Sequence, residues 1–264
     1  MQTDPSPFPN SLSPYERQEQ IVTLLGEKGR LAVASLADRF RTSDDSIRRD
    51  LRTLAAAGRI RRVHGAVLPA AALPQPFSDR LATDLDAKRA IGRAAAALVR
   101  PGSVVFLDGG TTVLAAAEAL PPDLAAEVVT TSPPVALALA DHPRITVILI
   151  GGILDKPSRT VVGSAALDAV RAIRADLCLI GLCSLDAEAG LMATGHEEAR
   201  VKRAMLEASD KVVALATAEK LDTLSPHAIA PTGAIDILVT DDRVSADRLA
   251  PYRAAALHVV VAPT

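Results

Sequence analysis

Apolar positions recur at helical spacing from Pro14 to about Lys28, where Ile21, Leu24 and Leu25 share a face, Glu16 and Arg17 point outward, and Gly29 marks the stop. Leu31 and Val33 lead into a short second helix from Ser35 to Phe40, with Leu36 and Phe40 four apart on one side. Ser43 suits the cap of a third helix running to about Ala57, and Asp44 and Asp45 suit the positive end of its dipole. Ile47, Leu51 and Leu54 make the inward stripe of this helix, which leaves Ser46, Arg48, Arg49 and Arg52 on other faces. After Gly58 the stretch RIRRVHGAVL alternates imperfectly around Gly65 and predicts a two-stranded ribbon. Three helices and a basic ribbon over residues 13–68 spell a winged helix-turn-helix.

On either side of this module the pattern changes. Residues 1–12 are rich in proline and serine, hold no apolar period, and are expected to be a disordered tail. Residues 69–86, with Pro69, Pro74 and Pro76, read as a semi-rigid linker too proline-rich for a helix. In residues 87–264, β-branched runs alternate with helical ones. Strands are expected at 103–107, 127–130, 145–150, 177–180, 211–215, 235–239 and 258–261, and helices at 88–99, 112–120, 133–140, 165–173, 197–208 and 245–256. That order predicts an α/β domain with a mostly parallel sheet, in which ligands bind outside the carboxyl ends of the strands.

Composition narrows the options. The chain of 264 residues is 49% hydrophobic but only 2% aromatic, which disfavours stacking platforms for single-stranded nucleic acid. No apolar run reaches the roughly 18 residues of a membrane span, and the N-terminus lacks a signal core, so a cytoplasmic protein with no membrane partner is expected. Cys178 and Cys183 are too few and too close for a disulfide scaffold or a four-ligand zinc site, and read as free thiols. The net charge of -2 conceals a division: residues 28–64 carry 10 basic against 4 acidic side chains, within an otherwise acidic chain.

That concentration points to duplex DNA. A helix bearing Arg48, Arg49 and Arg52 fits the major groove, with Ser43, Asp44, Asp45 and Ser46 at the end nearest the base edges, while Arg59, Arg61, Arg62 and His64 would grip the flanking backbone. In the following domain, Asp108, Gly109, Gly110, Thr111 and Thr112 lie between a buried strand and a helix, where backbone N–H groups and hydroxyls suit a phosphate. The lysine of a P-loop and the spacing of the dinucleotide fingerprint are missing, so no nucleotide cofactor is expected. Thr131, Ser132, Gly152, Asp186 and Lys220 fall at or near other strand ends. Glu198 and Lys202, four apart, either face a pocket, the glutamate on sugar hydroxyls and the lysine on a phosphate, or form a surface ion pair. The scattered histidines give no metal-ligand or nucleophilic-catalysis pattern.

These motifs resemble the DeoR family of bacterial transcription regulators from about Tyr15 to the C-terminus. TSDDSIRRDLRTL at Thr42–Leu54 and RIRRVHG at Arg59–Gly65 are similar to its helix-turn-helix and wing; DGGTT at Asp108, TTS at Thr130, GG at Gly151, EEARVK at Glu197 and EK at Glu219 are similar to its effector domain. The resemblance implies an effector domain with the fold of ribose-5-phosphate isomerase. It also implies a repressor of a carbohydrate operon that binds a double-stranded operator as a homodimer or homotetramer and responds to a phosphorylated sugar or related metabolite. The alternative is a sugar-phosphate isomerase or transferase with an accessory helix-turn-helix. The chain departs from the family pattern at Ala66, where a glycine is common, at Thr131 in place of an amide, and at Thr217 in place of an aspartate.

Overall fold

The computed structural model describes residues 12–63, 65–69 and 75–264. They fall into two compact units, one from the first 71 residues with Asp222–Leu224, the other from residues 72–221 and 225–264. His64, most of the expected tail and residues 70–74 of the expected linker lie outside the described residues.

In the first unit, α1 (Pro14–Lys28) opens with a capping box: the Ser13 hydroxyl accepts from the Glu16 N–H, and the Glu16 carboxylate accepts from the Ser13 N–H. β1 (Leu31–Ala32) precedes α2 (Val33–Phe40), which ends at Arg41 in the left-handed region with φ 47°. α3 (Asp44–Ala56) starts at Ser43, whose hydroxyl accepts from the Ser46 N–H. Ile21, Leu24, Leu25, Leu36, Ile47, Leu51 and Leu54 form one core with Leu31, Ile60 and Val67. The expected ribbon is present as β2 (Ile60–Val63) and β3 (Ala66–Pro69), antiparallel, and β1 adds an unforeseen third strand in the order β1-β3-β2. One charge enters this core: buried Asp50 of α3 accepts from Arg17 Nε at 2.5 Å and from Gln18 Nε2 at 2.9 Å, fastening α3 to α1.

The stretch expected to be a linker carries a helix, α4 (Phe77–Ala82), and α5 (Leu85–Ala96) also begins inside it. Its prolines all precede Phe77, so none removes an N–H from the helix interior, and burial of the Phe77 ring supplies the anchor that a free linker would lack.

The rest of the second unit runs β4 (Val104–Leu107), α6 (Thr111–Glu118), β5 (Ala126–Thr130), α7 (Pro133–Ala138), β6 (Ile145–Leu149), β7 (Ile153–Asp155), β8 (Thr160–Val162) and α8 (Ser164–Arg171). It continues β9 (Leu177–Gly181), β10 (Ser184–Asp186), β11 (Gly190–Ala193), α9 (His196–Glu207), β12 (Val212–Ala216), β13 (His227–Ala230), β14 (Ile237–Asp241), α10 (Ala246–Ala254) and β15 (His258–Ala262). Seven strands, each overlapping one expected from sequence, make a wholly parallel sheet in the order β15-β14-β12-β9-β4-β5-β6. Alternate residues feed two cores: Val105, Leu107, Leu179 and Leu215 face α5 and α6, while Phe106, Cys178, Ile180 and Ala214 face α8 and α9. The β7–β8 hairpin and a small antiparallel sheet, β10-β11-β13, are additions that the sequence pattern did not predict.

The order of the large sheet reverses between β4 and β9. From β4 the chain winds outward through β5 and β6, and from β9 it winds the other way. A crevice forms beyond the carboxyl ends of strands at such a reversal, which is where open α/β sheets place their ligands.

Candidate functional site

On the first unit the predicted DNA-contacting side chains of α3 stand clear of its core. Ser43, Asp44, Asp45, Arg48, Arg49 and Arg52 are exposed and Ser46 is half-buried, because the inward stripe uses Ile47, Leu51 and Leu54. Arg62 is exposed on β2, whereas its neighbours are engaged within the unit: Arg59 makes a forked pair with Glu19, and Arg61 donates to the Leu224 carbonyl.

The second unit presents a cleft at the sheet's reversal point, enclosing about 340 Å³ of space including the solvent at its mouth. Gly109–Thr112, after β4, form one wall and Gly181–Cys183, after β9, another. Glu198 and Lys202 of α9 and Lys220 after β12 complete the part foreseen from sequence. Gly110 takes a φ of 106° that a β-carbon resists, at the position where the loop turns into α6. Thr112 is a buried residue of the cleft lining, and its hydroxyl is buried with no hydrogen-bond partner. A buried hydroxyl without a partner costs about 1–3 kcal/mol, which a ligand oxygen would recover.

Asp108 stands behind the loop rather than in the cleft. Its carboxylate accepts from the Gly181 N–H at 3.0 Å and from the ammonium of Lys202, which also donates to the Gly181 carbonyl at 2.9 Å and lies 3.4 Å from Glu198. The ammonium therefore has two hydrogen-bond acceptors and a second carboxylate in ion-pair range. Burial opposes its charge, but Asp108 and Glu198 outweigh burial and hold the Lys202 pKa above the usual lysine value. The i, i+4 pair of Glu198 and Lys202 is thus an interior feature, with side chains 15% and 4% exposed, and not a surface ion pair. Lys220 has the opposite tendency: burial, assisted by repulsion from Arg80 and Lys88, lowers its pKa to about 8.

Three lining residues escaped the sequence reading: Arg80 from α4, and Ser158 and Thr160 from the β7–β8 hairpin. Thr160 packs so closely that a β-carbon on Gly109 would fall 2.0 Å from its methyl group, so glycine is required there by the approach of β8. Conversely, Thr131, Ser132, Gly152 and Asp186 do not line the cleft. The Thr131 carbonyl accepts from Val161 N–H at 2.7 Å, and Gly152 packs on Val161. Asp186 shapes the β10–β11 turn by accepting from the N–H groups of Glu188 and Ala189. Ser132 is nearest, its Cβ lying 3.6 Å from where a Gly109 β-carbon would stand, and its hydroxyl is buried without a partner. Both cysteines are free; Cys178 lies in the core, where burial pushes its thiol pKa up. Among the described residues no His, Cys, Asp and Glu cluster is placed to hold a metal ion, and no helix is long and apolar enough to cross a membrane.

Comparison with known proteins adds an independent line. Residues 17–70 match the DeoR-like helix-turn-helix domain, and residues 83–242 match the DeoR C-terminal sensor domain. The chain is 32% identical over 251 residues to the HTH-type transcriptional regulator GolR of Listeria innocua serovar 6a, covering 94% of this chain and 99% of that one. It is 32% identical over 227 residues to the glycerol-3-phosphate regulon repressor of Escherichia coli K12, covering 86% and 90%. Ribose 5-phosphate isomerase A of Neisseria gonorrhoeae aligns with 52% of this chain and 53% of its own at 19% identity, with a TM-score of 0.38.

Proposed function

The chain belongs to the DeoR family of DNA-binding transcriptional regulators, and from that premise we propose that it represses a carbohydrate operon and is released when a phosphorylated sugar or related metabolite enters the cleft beside Thr112. The observation that carries the effector part is the buried, unpartnered Thr112 hydroxyl at the start of α6, set among the Gly109–Gly110 loop, Lys220 and Arg80. The N-terminus of a helix, a glycine loop leading into it and cations together suit a phosphate, while Glu198 suits the hydroxyls of the attached carbon chain. A relative acting on a glycerol-3-phosphate regulon supports an effector of this chemical class.

In this reading the cleft senses and does not turn over its ligand. Asp108, a buried carboxylate behind the cleft wall, is committed to Lys202 and to the Gly181 N–H, which leaves it unsuited to abstract a proton as an isomerase base must. The exposed arginines of α3 supply groove and phosphate contacts, and a two-fold assembly reads paired half-sites, as a homodimer or a homotetramer in the cytoplasm, where the operator lies.

Calorimetric titration of the full chain with a panel of phosphorylated sugars and glycerol 3-phosphate tests the assignment. At least one ester is expected to bind, and Thr112→Val and Lys220→Met are expected each to weaken it by about tenfold or more. Binding that ignores both substitutions, or an absence of binding across the panel, contradicts it.

A further inference from the structure

Charges at the cleft are unevenly committed. Lys202 is matched by Asp108 and more than matched when Glu198 is added, so it brings no net positive charge to a ligand. The other cations lining the cleft are Lys220 and Arg80. Lys220 follows β12 of the large sheet. Arg80 stands on a different kind of element, a six-residue helix that begins eight positions after β3 of the DNA-binding unit ends at Pro69.

That helix is held chiefly at its two ends. At its start, the Phe77 N–H donates to the Pro157 carbonyl at 3.0 Å, and the guanidinium groups of Arg80 and Arg159 lie 5.7 and 5.0 Å from the centroid of the buried Phe77 ring. At its finish, the ammonium of buried Lys88 donates to the carbonyls of Arg80 and Thr83. Asp84, left-handed with φ 51°, then pairs with Arg243 at 2.6 Å. Between these anchors, Arg80 Nε donates to the Gln75 carbonyl at 3.1 Å, and Nη1 reaches to 4.0 Å from where a β-carbon on Gly110 would stand. This places a planar donor fork beside the loop that opens α6, suited to grasp two oxygens of one phosphate.

Resting on the phosphate-sensing reading, we infer that Arg80 is a phosphate-binding residue and that α4 is a strap ordered by the anion it helps to hold. Arg80 and Lys88 repel the Lys220 ammonium, and a dianion set among these cations replaces repulsion with attraction. In chain order α4 is the first element of the second unit after β3.

Hydrogen-exchange mass spectrometry on the full chain, with and without inorganic phosphate, tests this. In the wild type, phosphate is expected to slow exchange both at residues 109–114 and at residues 77–84. In Arg80→Gln the first stretch is still protected, at roughly tenfold higher phosphate, while the second no longer responds, and Arg80→Lys falls between. Protection of 109–114 with 77–84 unmoved in the wild type, or undiminished protection of 77–84 in Arg80→Gln, overturns the strap while leaving the cleft assignment intact. No protection of 109–114 in the wild type contradicts the cleft assignment and the strap with it.

Discussion

The ammonium of Lys202 meets the carboxylate of Asp108 across 94 positions of chain, both side chains at most 4% exposed, and this pair joins α9 to the loop that ends β4. Removing one partner strands the other in the interior. Asp108→Asn is therefore expected to cost about 3 kcal/mol in urea unfolding, and Lys202→Met a similar amount, whereas Asp108→Asn combined with Lys202→Met recovers much of the loss. Because the folded pKa of Lys202 lies above its ordinary 10.5, this contribution is fully present at neutral pH and is lost only as pH rises through the folded value. An Asp108→Asn protein as stable as wild type refutes the role given to the pair.

Lys220 titrates where phosphate binding can be followed. Its folded pKa of about 8 is below the ordinary lysine value, so the unfolded chain binds that proton more tightly and stability from this group rises as pH climbs from 8 toward 10.5. Ligand binding runs the other way, since the anion needs the ammonium. Affinity for a phosphate ester is expected to be greatest between about pH 6, where the ester gains its second charge, and about pH 8, where Lys220 loses its own. In Lys220→Met the alkaline decline should vanish from the calorimetric pH profile; an unchanged decline assigns it elsewhere.

Gly181 sits where the wall after β9 presses on the wall after β4. A β-carbon there would fall 2.6 Å from the Gly109 carbonyl oxygen, a backbone atom that cannot rotate away. Gly181→Ala is expected to lower stability by about 1–3 kcal/mol and to displace the Gly109–Gly110 loop, so that thermal melting and phosphate affinity fall together. A variant with wild-type melting and binding would show that the two walls are not in contact.

Arg49 is exposed in the second turn of α3. Arg49→Ala should weaken specific DNA binding by at least about 1 kcal/mol, and Arg62→Ala should reduce the salt dependence with little change in sequence preference. Isotherms and salt slopes equal to wild type count against this face as the one that enters the groove.

Much of the architecture was legible because burial writes itself into composition. The central strands of the large sheet are covered on both faces and therefore appear as continuous runs such as Val104–Leu107 and Val212–Ala216. The Ile47, Leu51 and Leu54 stripe was equally plain, since one helix face must be apolar to cover Ile21 and Leu25. The β7–β8 hairpin and the β10-β11-β13 sheet were not, because strands of three or four residues are too short to show a period. Arg80, Ser158 and Thr160 went unseen for that reason: they belong to short elements, and Arg80 follows three prolines that masked its helix. Thr112, Glu198, Lys202 and Lys220 could be named from their places after strands or on one helix face, but their meeting point depends on the sheet order. Asp186, Thr131 and Gly152 stand out for their places at or near strand ends, but they shape turns and packing outside the cleft lining.

The coupling of cleft to operator is tested most directly by fluorescence-anisotropy titration of the full chain on DNA from upstream of its own gene, at low salt, with each phosphorylated sugar and its dephosphorylated counterpart. The account predicts specific binding that weakens by about tenfold or more with one phosphorylated ligand and stays unchanged with the dephosphorylated form. Specific DNA binding that no phosphorylated ligand alters would contradict it.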